Sequence, residues 1–159
     1  MTSNPIPQIA ADYRSATAFF LEAAAEISER TLDLKHPNGW SARQVIHHMA
    51  DSEAQSYARL RRLLAEPAGS IIQGYDEGAW AICRALGYSE LPIENSLAVF
   101  AAVRAASADV LERMQQHDLE RMGTHSESGP YGIRNWIASY TNHPREHAEQ
   151  MRKAQRGEP

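Results

Sequence analysis

The chain has 159 residues, with 20 acidic against 16 basic side chains and a formal net charge of −4. That length fits one domain spanning residues 1–159, able to bury roughly 70% of its unfolded surface without a disulfide or metal. A composition of 43% hydrophobic and 23% charged residues excludes wholesale disorder, and the mild acidity argues against nucleic acid as a partner.

One cysteine, Cys83, leaves no internal disulfide to form, which fits a reducing cytoplasm. The N-terminus lacks a basic leader, and charges such as Glu22 interrupt the apolar stretches, so neither a signal peptide nor a membrane span is expected. With 25 alanines and only four valines, the chain favours helices over sheets.

The first helix is expected from about Gln8 to Thr31, because Ile9, Tyr13, Ala16, Phe20, Ala23 and Ile27 recur at steps of four and three. Turn residues from Lys35 to Gly39 break it. The second has a clear start: Ser41 caps, Gln44 completes a capping box, and Trp40 and Val45 are placed for a hydrophobic staple. It is expected to end at Glu66, before Pro67 and Gly69.

Its inward stripe reads Val45, His48, Met49, Ser52, Ser56, Leu60 and Leu63, so three polar residues interrupt a core-facing row; His47 points the other way, with Gln44, Asp51 and Ala54. Arg59, Arg61 and Arg62 read as a solvated cluster near the helix end. A connection from Ala68 to Leu91 follows, with a short helix around Glu77 to Leu86; Cys83 within it reads as a buried small apolar residue.

The third long helix is expected from Pro92 to Gln116, with Arg104 on its apolar stripe and in need of a partner if buried. A glycine-containing loop from Arg121 to Gly132 precedes the last helix, Ile133 to Arg156, whose stripe is Ile133, Trp136, Tyr140, His143, His147 and Met151. Four amphipathic helices of this length make an all-α four-helix bundle, with a short extra helix in the second connection.

A single histidine on an apolar face is most often a satisfied core residue. Here His143 and His147 are four apart on one helical face, and His48 occupies the buried stripe of another helix. Three neutral imidazoles from facing helices match a metal site with an open position. Pro144 lies between two of them; it removes an amide donor and crowds the Tyr140 carbonyl, so the last helix is expected to kink there. Smaller candidates are Asp51 as an acceptor orienting an imidazole, His125 as a loop group contacting substrate, Glu127 as a base, and Tyr75 as a substrate-binding wall of the pocket. Asp76 and Trp80 are expected to pack the connection over the bundle end.

The run from Trp40 to Glu53, Tyr75-Asp76-Glu77 with Trp80, the stretch Arg121, Gly123, His125, Glu127, Gly129, and the ending Tyr140, His143, His147, Gln150 resemble the DinB/YfiT-like superfamily. The resemblance implies a four-helix bundle, often a homodimer, with zinc or nickel on His48, His143 and His147. It also implies transfer of a low-molecular-weight thiol to a small electrophile, because a His-ligated metal stabilises a thiolate. The alternatives are metal-dependent hydrolysis and a non-catalytic metal-binding bundle.

Overall fold

The computed structural model describes residues 4–159. Four long helices, α1 (Ile6–Ala25), α2 (Ala42–Ala65), α4 (Glu94–Arg113) and α5 (Ile133–Gln155), form the bundle. α1 packs on α4 and α5, and α2 packs on the same two, so the consecutive pairs α1–α2 and α4–α5 sit across the diagonals. A short helix α3 (Glu77–Ile82) and a single 3-10 turn, Arg84–Leu86, occupy the connection between α2 and α4. No helix among the described residues is long and apolar enough to cross a membrane.

The start of α2 follows its sequence closely. Gln44 N donates to Ser41 Oγ at 3.2 Å, and Ser41 N donates to Gln44 Oε1 at 3.0 Å, closing the capping box. α1 stops earlier than its stripe suggests, at Ala25 and not Thr31. Beyond it the hydroxyls of Ser28 and Thr31 lie 3.1 Å apart, and Thr31 also reaches Gln155 at 3.0 Å. Side chains that bond locally in this way compete with the helical ladder, and the chain turns to bury Leu32.

The stretch from Arg121 to Gly132 is a hairpin and not a loop. β2 (Met122–His125) pairs antiparallel with β3 (Gly129–Gly132), and β1 (Ile71–Ile72) adds in parallel to β2. Four-residue strands containing three glycines and a proline show no alternating pattern, so periodicity is silent about them. The usable signal was Ser128-Gly129, with Gly129 at φ +81° in the turn. Gly123 is required for close approach, since a Cβ there would meet the Ser70 carbonyl at 2.8 Å.

Two apolar clusters fill the bundle. One gathers Tyr13, Leu60, Leu111 and Trp136 with Ile72 and Leu119 from the segments around the hairpin. The other gathers Phe20, Val45, Met49, Phe100 and Met151. Between them lies a buried polar layer holding Ser52, Glu53 and Ser56 of α2 and Arg104 and Ser107 of α4. Cys83 is exposed, contrary to its sequence reading, because α3 turns it outward as its C-terminal cap.

Candidate metal centre

His48 from the second turn of α2 and His143 and His147 from α5 converge beside the polar layer. Each offers a ligand nitrogen, and these atoms lie within 4.8 Å of one another; among the described residues this is the one such group. His48 is buried, with its Nδ1 lacking a hydrogen-bond partner, and the indole of Trp40 meets its ring edge-on at 5.1 Å. His143 and His147 are half-buried, so the centre is open to solvent on one side.

Hydrogen bonds from behind fix two of the rings. His147 Nδ1 lies 2.6 Å from Gln150 Oε1, an acceptor, so that nitrogen carries the ring proton. His143 Nδ1 faces Glu53 Oε1 at 3.5 Å, another acceptor. His147 Nε2 is thereby left as a lone pair, and it lies 3.0 Å from His143 Nε2. At that separation a single proton can be shared between the two nitrogens, and a metal ion beside them can take that proton's place. Burial, and then the neighbouring imidazoles, pull His48 down to about 3; burial and His143 pull His147 down to about 4. These rings are neutral at physiological pH, as metal ligands must be. The residues fit a divalent ion.

The polar layer explains how α5 survives Pro144. The helix runs unbroken from Ile133 to Gln155 with the proline inside it. Pro144 has no N–H to give the carbonyl of Tyr140, and Arg104 Nη1 donates to that oxygen instead, at 3.0 Å. The same nitrogen lies 3.0 Å from Glu53 Oε1, and both side chains are 0% exposed. Arg104 also donates to Thr17 Oγ1 at 2.6 Å and to the Tyr13 carbonyl at 3.1 Å, with its guanidinium 3.7 Å above the Tyr13 ring. One buried cation therefore ties α1, α2, α4 and α5 together and holds the carboxylate that faces His143.

The remaining sequence candidates fall elsewhere. Asp51 does not orient an imidazole of the centre: its carboxylate accepts the Tyr88 hydroxyl at 2.6 Å, on the flank of α2 that carries His47. Glu53 and Gln150 fill that role, and neither was singled out for it. Tyr75 packs at a tilt on Trp80 with ring centroids 4.7 Å apart, and its hydroxyl is buried beside Ser52, one helical turn beyond His48. Asp76 caps α3, its Oδ1 accepting from Ala79 N at 2.9 Å. His125 packs on Tyr131 at 5.6 Å and accepts from the Glu127 amide at the hairpin turn, while the Glu127 carboxylate lies against Gly74. Neither joins the three-histidine group. The arginine cluster is engaged and not simply solvated: Arg59 donates to the Tyr140 hydroxyl and the Gln73 carbonyl, both at 2.8 Å, and Arg61 stacks on Tyr57.

A family model for the DinB superfamily matches residues 13–151, which contain all of these groups. The chain belongs to the DinB superfamily. A protein of Oceanobacillus iheyensis, named provisionally as a metal-dependent hydrolase, is 36% identical over 123 residues, covering 77% of this chain and 69% of its own. A Bacillus cereus protein named in the same way is 32% identical over 127 residues, covering 79% and 71%. Among solved structures, YfiT from Bacillus subtilis superposes with a TM-score of 0.83 at 24% identity, over 95% of this chain and 86% of that one. It is provisionally described as a metal-dependent hydrolase with an unusual four-helix bundle topology. The DinB-like bundle expected from sequence is the fold found.

Proposed function

We propose that this DinB-superfamily protein holds one divalent metal ion on His48, His143 and His147 and hydrolyses a small electrophilic substrate there. The observation that carries the reading is the convergence of three imidazole nitrogens within 4.8 Å, on rings that are neutral or held by acceptors behind them. The names of the Oceanobacillus and Bacillus relatives support hydrolysis. A zinc or nickel ion bound there supplies Lewis acidity and an activated water.

This chain's own residues do the rest. Glu53 and Gln150 keep the Nε2 atoms of His143 and His147 turned inward. Trp40 and Tyr140, whose rings lie 5.1 Å from His48 and 5.9 Å from His143, wall the site against bulk water. Ser52 and Tyr75 provide hydroxyls one helical turn from His48 that can orient a substrate oxygen.

Thiol transfer is the second reading, favoured by the donor set. Three uncharged ligands neutralise none of a divalent ion's charge, so the centre also suits an anionic thiolate. On either reading the protein acts as a cytoplasmic homodimer on a small molecule, without nucleic acid, consistent with its net charge of −4.

The test is turnover of aryl esters and small electrophiles by zinc- or nickel-loaded protein, with and without bacillithiol or glutathione. Hydrolysis without thiol supports the proposal. Turnover that requires thiol replaces it with transfer. Metal binding without turnover of either kind removes the enzymatic reading and leaves a metal-binding bundle.

A further inference from the structure

On the face of α2 turned away from the three imidazoles there is a second arrangement, independent of the metal centre. His47 is 5% exposed, and its Nε2 lies 3.1 Å from the Leu91 carbonyl oxygen. A carbonyl can only accept, so Nε2 carries the ring proton and Nδ1 of the neutral ring is a lone pair. That lone pair faces Ser96 Oγ at 2.8 Å, and the hydroxyl must donate to it.

Ser96 is half-buried and third in α4, a helix that begins at Glu94 with no side chain capping its first turn. The amides of that turn have no intrahelical acceptor, and the helix end carries partial positive charge. A cavity of about 170 Å³ opens there, lined among others by His47, Asp51, Tyr88, Asn95 and Ser96. The Tyr88 ring packs 5.7 Å from His47, and its bond to Asp51 fixes that wall.

A hydroxyl within hydrogen-bond reach of a base, with the base oriented by a third group, is the arrangement that activates a nucleophile. We propose that Ser96 and His47 form a metal-independent nucleophile–base pair that accepts the acyl group of small activated esters. Ser96 Oγ attacks the ester carbonyl carbon as its proton passes to His47 Nδ1. The new C–O bond forms, the bond to the leaving alcohol breaks, and that oxygen takes the proton back from Nδ1. Water, deprotonated by the same nitrogen, then attacks the acyl-serine and releases the carboxylic acid, returning the proton to Ser96. Negative charge on the attacked oxygen is met by the free amides at the start of α4.

The experiment uses the full chain with p-nitrophenyl acetate in the presence of EDTA, following nitrophenolate release and locating the acetyl group by peptide mass spectrometry. One acetyl group on Ser96 is expected, with the acylation rate unchanged by the chelator. Ser96→Ala and His47→Gln should each lower that rate by about 100-fold or more, with unfolding curves confirming that both variants fold. Ser96→Cys should regain acylation at the same position and lose it again when combined with His47→Gln, which keeps the test decisive if the alanine variant is unstable. Acetyl groups found only on lysines, an unchanged rate in Ser96→Ala, or loss of the reaction on chelation would overturn the proposal. The bond between Ser96 and His47 would then be a structural tie between α2 and α4.

Discussion

At one end of the bundle Tyr13, Leu111 and Trp136 pack together, and at the other Phe20, Phe100 and Met151; between these clusters lie Glu53, Arg104 and three serines, with His48 and His143 alongside. The ends hold shape through apolar area, which is non-directional and tolerant of substitution if volume is kept. The middle layer holds shape through a handful of directional bonds centred on one guanidinium. The difference separates stability from geometry: the ends keep the helices together, and the layer, through Glu53, faces the His143 imidazole.

Two substitutions of similar energetic size test that separation. Phe100→Ala removes a fully buried ring and should cost about 3–5 kcal/mol, read by urea denaturation. Arg104→Met strands the buried Glu53 carboxylate and should cost about as much, ~3–5 kcal/mol. Only Arg104→Met should also weaken metal affinity of the molecules that remain folded, because only it frees the Tyr140 carbonyl and the group facing His143. Equal affinity in the two variants would break the distinction.

A milder change sharpens it. Gln150→Ala deletes the acceptor that fixes the His147 proton on Nδ1. Metal affinity in a competition titration should fall by about 10–100-fold, while the urea midpoint hardly moves.

A further test is the pH dependence of the metal-free protein. The folded-state values of His48 and His147, about 3 and about 4, lie below the ordinary imidazole value of 6.5. The unfolded chain therefore binds more protons below that value, and stability falls as pH drops from about 6.5 towards 4. Chelated protein should unfold at lower urea at about pH 5 than at about pH 7.5, and His48→Gln should flatten the trend.

The apolar ends were legible because burial on a helix repeats every three or four residues. Phe20, Val45, Leu111 and Trp136 all lie on stripes that the sequence displays. The same stripes separated His48 from His47, since adjacent residues on a helix point about 100° apart. The polar layer was legible only in part: Arg104 on an apolar stripe demanded a partner, but nothing in spacing says that the partner is Glu53. Nor does it say that the arginine answers a carbonyl left free by Pro144, 40 residues away in sequence. Pairings across helices depend on how the helices are laid together. The hairpin was hidden for another reason, since Met122–His125 and Gly129–Gly132 are held by backbone bonds and by glycines that permit close approach, and neither leaves a hydrophobic period.

The central claim is that three imidazoles from two helices make one metal centre. Its most direct test is metal content of the untagged protein, reloaded with zinc or nickel and measured by mass spectrometry beside His48→Ala and His147→Ala. The account predicts one divalent ion per wild-type chain and none retained in either variant, both of which still fold. A reloaded wild type that holds no metal, or variants that hold it as well as the wild type does, would contradict it.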